Sequence, residues 1–409
     1  MSNYPSISFD NTEYAFQYKT DKELKSANFL FSAMSRPALV KMGTRLVPWA
    51  IKAGLPVKGI IRKTIFKQFA GGESLEETAA LASHLAKYNV EVILDYAVEG
   101  GNDTEAGYDQ AAGEFIKVIN YAATQPNVPF MSVKVTGLSR ETLLEKLDEI
   151  MKRSQGSLIK RYLNALEQLT EEEKQEWERV RQRLIRICKQ AQEKNVGMMI
   201  DAEETWITDP LDALVMLMMD AYNKEKPVIF NTAQMYRHDR LQFVKDCQEA
   251  AVERGFIFAI KLVRGAYMEK ERNRAKEQHY PSPIQPDKTA TDADYNAAVK
   301  FCIEHLGSVA VNISTHNENS NMAAVQQLQA NNIALDHPHV SFSQLFGMSD
   351  NITFNLAHAG CNVSKYLPFG PVSEVIPYLM RRAEENTSVE GQTGREISLI
   401  KKEVKRRRL

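Results

Sequence analysis

From about residue 90 onward, short apolar runs of strand length alternate with longer stretches in which apolar positions recur every three to four residues. The short runs are Val90 to Tyr96, Phe130 to Thr136, Gly197 to Ala202, Val228 to Thr232, Phe256 to Val263, Val309 to Ser314, Val340 to Leu345 and Asn362 to Leu367. Alternation of this kind predicts a parallel sheet with crossover helices, and eight strands fit an α/β fold of the (βα)8 TIM-barrel type. Between the second and third runs, Thr170-Glu-Glu-Glu173 has the spacing of a capping box. It opens a charged, periodic stretch to Lys194 that predicts a long surface helix. The helical patterns before residue 88 have no strand partner. They predict an N-terminal arm over residues 1–88, ahead of a barrel over 89–392 and a solvated basic tail over 393–409.

The polar residues that interrupt these runs fall at their C-terminal ends: Lys134, Asp201, Gln234 and the pair Thr315-His316. In a closed barrel those ends converge on one mouth, where the fold places its active site. Taken singly, each has a duller reading as a loop or helix cap; taken together they predict a site. A second cluster lies near the end of the chain. Tyr378, Arg381, Arg382 and Glu385 stand at i, i+3, i+4 and i+7 and so share one helical face. Two adjacent guanidiniums suit a carboxylate, and Glu385 can steady an arginine or accept a ligand's donor; a solvated basic patch is the alternative.

Composition narrows the classes. At 409 residues the chain exceeds the roughly 250 to 300 of one hydrophobic core. A net charge of −1 with 25% charged residues gives no reason to expect a nucleic-acid partner. Cys188, Cys247, Cys302 and Cys361 are widely spaced, with no C-x-x-C pair, which fits reduced thiols and a cytoplasmic setting. His337 and His339 flank a proline and no ligand spacing occurs, so no metal is expected. No P-loop or G-x-G-x-x-G is present, and no apolar run is long enough to span a membrane.

With the strand ends assembled, the chain resembles the proline dehydrogenase family. The resemblance rests on Asp201-Ala-Glu-Glu204, Asn231-Thr-Ala-Gln234-Met-Tyr236, Lys261-Leu-Val-Arg-Gly-Ala-Tyr267, Ser314-Thr-His-Asn317 and the Tyr366 to Asn386 segment, and covers roughly residues 65 to 390. It implies a FAD-dependent flavoenzyme on a distorted barrel, with a C-terminal helix over the barrel mouth. The reaction implied is oxidation of L-proline to 1-pyrroline-5-carboxylate by hydride transfer from C5 to flavin N5, in the monofunctional form, with electrons passing to a membrane quinone. It further implies that Arg381, Arg382 and Lys134 clamp the proline carboxylate while Asp201 holds the arginine geometry. Tyr267, Tyr366 and Tyr378 would wall the ring, and Lys261 would lie near the flavin, with Asp201 and Lys261 as the catalytic residues. FAD would be contacted by Ala202, Gln234, Arg264, Gly265, Ala266, Thr315 and His316, with Glu385 reaching the flavin side.

Two residues depart from the family pattern: Lys261, where many bacterial members carry arginine, and Met268, where many carry tryptophan. Tyr366 bears on substrate choice, because members that prefer hydroxyproline carry a smaller residue there. The alternatives are therefore a hydroxyproline dehydrogenase and a catalytically silent membrane-associated binding barrel. From Leu24 to Gly72 there is no acidic residue, while Lys25, Arg36, Lys41, Arg45, Lys52, Lys58, Arg62, Lys63 and Lys67 interleave with Leu46, Val47, Trp49, Ile51, Ile60, Ile61, Ile65 and Phe66. Such a stretch suits the inner face of an anionic membrane, or equally an arm packed on the barrel.

Overall fold

The structure, a computed structural model, describes residues 7–52, 57–97, 103–388 and 392–409, with side chains except at 37, 45, 48, 49, 51, 52, 384–388, 392 and 393. Eight strands close in sequence order into a parallel barrel: β1 (Glu91–Tyr96), β2 (Phe130–Val133), β3 (Gly197–Ile200), β4 (Ile229–Gln234), β5 (Phe258–Val263), β6 (Val309–Ser314), β7 (Val340–Leu345) and β8 (Val363–Phe369). The strands are buried nearly throughout because helices cover one side and barrel-filling side chains the other, which is why they read as apolar runs. Strand ends shift by a few residues from the expected ones. β2 stops at Val133 because Val135–Gly137 turns into a 3-10 helix, while β4 runs on to Gln234 and β8 to Phe369.

The chain comprises two compact units, Gly100–Ser341 and Met1–Glu99 with Phe342–Leu409. Within the first of these, β2 to β6 pair in register. Phe130 stands opposite Gly197, where an added Cβ would lie 2.3 Å from the Phe130 ring, so β3 must begin on a residue without one. The expected long helix is Glu171–Lys194. Thr170 and Glu173 close a capping box at its start, and Asn195, left-handed at φ 53°, ends it.

In the other unit the N-terminal helices share one core with the C-terminal ones. Phe16, Leu24, Phe31 and Phe69 pack with Val375, Leu379, Leu399 and Ile400. The residues after 392 therefore differ from the expected solvated tail, since Gln392–Arg406 is a helix. Its apolar residues Leu399 and Ile400 are buried, and so is Glu403, which accepts from both Arg406 and Arg407. Arg407 in turn donates to the carbonyls of Phe16 and Lys19, tying the chain end to the first helix. A buried ion pair lies in the same unit. Lys365 of β8 is 0% exposed, with Nζ 2.9 Å from Asp350 Oδ1 and donating to the Met348 carbonyl at 2.6 Å. Asp350 also accepts from the Tyr18 hydroxyl at 2.7 Å and has Lys19 at 3.7 Å. Burial pushes its carboxyl up, but the two lysines outweigh that and hold it below the usual range.

The basic N-terminal stretch divides. Ile61 and Phe66 are buried and Val47 and Ile65 pack against the core, whereas Leu39, Met42 and Leu46, at i, i+3 and i+7 of Pro37–Lys52, are exposed, with Phe29 and Ile60. Lys25, Arg36, Lys41, Lys58, Arg62, Lys63 and Lys67 are exposed as well. The side chains of Arg45, Trp49, Ile51 and Lys52 lie outside the described residues.

Candidate active site

In the unit Gly100–Ser341, register builds the site. Val133 of β2 stands opposite Ile200 of β3, so Lys134 and Asp201 leave adjacent strand ends side by side, and the Asp201 N–H donates to the Val133 carbonyl at 2.9 Å. Lys134 Nζ lies 3.8 Å from Asp201 Oδ2. The other carboxylate oxygen accepts from Lys261, a buried residue of β5 that faces Thr232 and Asn312 on the neighbouring strands. One carboxylate thus sits between two ammonium groups, and the group of three carries a net positive charge, a local attraction for an anionic ligand.

Next along the barrel, Gln234 closes β4. Its amide donates to the Glu203 carbonyl at 2.7 Å and accepts from the Ala266 N–H at 3.2 Å. The turn after β5 is held flat at Gly265, which has φ 141° and whose Cβ, if present, would lie 2.6 Å from the Tyr236 ring. Gly265 and Ala266 are exposed, so this backbone is open to close approach. Arg264 is fixed on three sides. Its Nε bonds Asp292 at 2.7 Å, one Nη bonds Thr315 Oγ1, the other bonds Ser320 Oγ at 3.0 Å, and the guanidinium stacks on Tyr295 at 4.4 Å. Burial raises the Asp292 carboxyl, but Lys288 and Arg264 outweigh it and hold it below the usual range. Thr315 is buried just beyond β6 and also accepts from the Asn317 N–H at 3.1 Å, while His316, Ala202 and Tyr267 are half-buried and Met268 is exposed.

In the other unit, Tyr366 is half-buried on β8, in register with Ile93 of β1 and Leu345 of β7. Tyr378, Arg381 and Arg382 lie on one helix, Val372–Ser388. Arg382 is 7% exposed, with its guanidinium carbon 5.1 Å above the Tyr378 ring, and Arg381 is half-buried, so this helical face is not a solvated patch. The side chain of Glu385 lies outside the described residues.

Three buried carboxylates escaped the sequence reading. Glu203 is buried and accepts the Thr136 N–H at 3.2 Å and the Thr136 hydroxyl at 2.6 Å. Glu271, also buried, grips Thr205 the same way, from N–H at 2.7 Å and hydroxyl at 2.6 Å. Asp212 pairs with buried Arg240 at 2.6 Å and accepts from Asn231 at 2.8 Å. The sequence signals were present, in Asp201-Ala-Glu-Glu204 and in the Asn231 motif, but which carboxylate turns inward depends on the loop path. Among the described residues, no group of three or more His, Cys, Asp or Glu could hold a metal ion, and no helix is long and apolar enough to cross a membrane.

The barrel has counterparts among solved structures. The proline utilization A (PutA) protein of Bdellovibrio bacteriovorus, solved after inactivation by N-propargylglycine, superposes with a TM-score of 0.69 at 20% identity over 96% of this chain. This chain spans 38% of that one. In sequence, it is 33% identical to proline dehydrogenase 1, mitochondrial, of Dictyostelium discoideum over 87% of its length and 67% of the relative's. It is 31% identical to the hydroxyproline dehydrogenase of Xenopus laevis, over 96% and 88% respectively. The carbapenem biosynthesis protein CarD of Pectobacterium carotovorum is 34% identical over 83% of each chain. A family model for proline dehydrogenase matches residues 79–395, and the chain belongs to the proline dehydrogenase family.

Proposed function

We propose that this protein oxidises L-proline to 1-pyrroline-5-carboxylate and passes the electrons to a membrane quinone, as the first step of proline breakdown to glutamate. Proline dehydrogenases are FAD-dependent flavoenzymes, and the residues here suit such a dinucleotide. An exposed glycine turn offers backbone for close approach, an arginine immobilised on three sides offers fixed positive charge, and Gln234, Thr315 and His316 add polar groups at adjacent strand ends. We assign Ala202, Gln234, Arg264, Gly265, Ala266, Thr315, His316 and Glu385 to the flavin. When bound, FAD supplies the two-electron acceptor that takes a hydride from ring carbon C5 at flavin N5.

The chain's own residues do the rest. Arg381, Arg382 and Lys134 bind the substrate carboxylate, and Asp201 keeps Lys134 and Lys261 in place without neutralising both. Tyr267, Tyr366 and Tyr378 wall the ring and exclude water, so the departing hydride leaves from one fixed position and the step becomes unimolecular. The cations also disfavour the ammonium form of the substrate, which must be neutral at nitrogen for hydride to leave. The observation that carries this reading is the Lys134, Asp201, Lys261 group, net positive and fixed by strand register. Purified protein is expected to be yellow, and anaerobic L-proline to bleach the flavin band. Colourless protein that gains no flavin from added FAD, or a band that proline leaves unchanged, overturns the reading.

The similarity to a hydroxyproline dehydrogenase over 96% of the chain favours a second substrate reading. Against it stands Tyr366, a large ring on β8 at the position that would meet a ring hydroxyl. Tyr366→Ser is expected to raise kcat/KM for hydroxyproline relative to proline by about tenfold, on the scale set by one steric contact. Steady-state turnover of the two amino acids checks it, and an unchanged ratio removes the steric argument.

The exposed Leu39, Met42, Leu46, Phe29 and Ile60, among lysines and arginines with no acidic residue from 24 to 72, support peripheral attachment to an anionic membrane. Vesicles containing anionic lipid are expected to cosediment the protein at low salt and release it at high salt, and Met42→Ser with Leu46→Ser to weaken the binding about tenfold. Equal binding by the double variant excludes this face.

A further inference from the structure

We propose that Glu203 is a positioning residue that sets how strongly Lys134 attracts the substrate carboxylate, by fastening the backbone just after that lysine and by placing a second negative charge near it. The inference rests on the reading of Lys134 as a carboxylate ligand. Glu203 ties several strand ends together. Its carboxylate accepts the Thr136 N–H and hydroxyl two residues beyond Lys134, and its carbonyl accepts from Gln234, which in turn holds Ala266. The loop is fastened from the other side by Glu271, which grips Thr205 with the same pair of hydrogen bonds. Asp201 therefore sits in a loop latched at two points, two and four residues downstream.

The charges facing Glu203 are Lys134 from the end of β2, Glu204 from its own loop and, through Glu204, Lys270 of the helix Met268–Glu277. Gln234 reaches it from β4 as a neutral partner. Burial pushes the Glu203 carboxyl up to about 7; the Thr136 hydrogen bonds and Lys134 oppose that rise, and Glu204 adds to it. Near neutral pH the residue thus exchanges a proton. Ionised, it places a second carboxylate beside Lys134 in addition to Asp201, so the two lysines are balanced. Protonated, it leaves the pair with one net positive charge. The grip on Thr136 survives both states, because a protonated carboxyl can donate to the hydroxyl oxygen while its other oxygen still accepts the N–H. The predicted consequence is that a carboxylate binds more tightly below about pH 7 than above it.

The test uses the flavin-loaded enzyme and cyclopentanecarboxylate, a ring carboxylate with no amine to titrate or oxidise, with binding followed by calorimetry from pH 6 to 8.5. The wild-type Kd is expected to rise about fivefold across that range, the effect of one nearby charge in a partly screened site. Glu203→Gln, whose amide can grip Thr136 with one acceptor and one donor, should bind with a flat pH profile near the tighter wild-type value. Glu203→Ala, which loses the grip, should bind about tenfold more weakly than Glu203→Gln at every pH. A flat wild-type profile, or an inflection that persists in Glu203→Gln, overturns the proposal even if the alanine variant does not fold. Lys134→Met separates the two layers. If it leaves the Kd unchanged, the carboxylate reading of Lys134 fails; if it weakens binding while the wild-type profile is flat, only the role of Glu203 fails.

Discussion

Arg382→Met is expected to lower kcat/KM for L-proline by about thirtyfold to three-thousandfold, almost entirely through KM, with Arg381→Met losing less. The range follows from about 2 to 5 kcal/mol for removing one member of a desolvated charge pair, at tenfold per 1.4 kcal/mol. Arg382 has the larger expected effect because it is buried, at 7% exposure, and stacked on the Tyr378 ring, whereas Arg381 is half-buried and partly screened by water. Methionine keeps most of the side-chain volume, so the packing of Val372–Ser388 should survive, and a thermal melt serves as the control. Arg382→Lys should recover part of the loss, since it restores the charge without the two-pronged geometry. Kinetics unchanged in both methionine variants would rule out the clamp, and a kcat effect without a KM effect would assign these residues to something other than carboxylate binding.

The barrel was legible because each strand is buried on both faces, and such a strand has to be written as an apolar run. Its ends were less legible. β2 stops short of Thr136 because Glu203, 67 residues away in sequence, takes that residue's N–H and hydroxyl, a partner no local window contains. The C-terminal helix was misread as tail because Lys401, Lys402, Lys405 and three consecutive arginines dominate its composition. Its apolar residues, Ile397, Leu399, Ile400 and Val404, are few, but they recur at helical spacing and meet the N-terminal helices. The strand-end logic found Lys134, Asp201, Gln234 and Thr315 because a polar residue ending an apolar run is conspicuous. It could not separate Glu203 from Glu204. The two are neighbours of one type, yet one is clamped inward on Thr136 while the other pairs with the exposed Lys270. Lys365 was missed for a related reason: a lysine inside a strand becomes intelligible only when its partner, Asp350, is found in the helix that precedes that strand.

That pair carries the largest expected effect on stability. Asp350→Asn leaves the Lys365 ammonium, 0% exposed, without its counter-charge, and is expected to destabilise the protein by about 3 to 5 kcal/mol. Adding Lys365→Met should recover much of the loss. It removes the stranded charge, while the amide introduced at position 350 still offers an oxygen to the Tyr18 hydroxyl and Lys19 can turn toward water. Urea midpoints of wild type, single and double variants decide it: a single variant as stable as the wild type, or a double variant no better than the single, removes the argument. The pH dependence adds an independent check. Glu396, buried beside this group with its carboxylate on the Ser349 N–H, is pushed up to about 7 by burial and then by Asp350. In the wild type it therefore costs stability increasingly as pH rises from about 4.5 through 7. Asp350→Asn removes the like charge, lets Glu396 ionise more easily and puts a carboxylate back near Lys365. The deficit of the single variant relative to wild type should accordingly be wider near pH 5 and narrow as pH rises through about 7, whereas a deficit caused by misfitted packing alone would not change with pH.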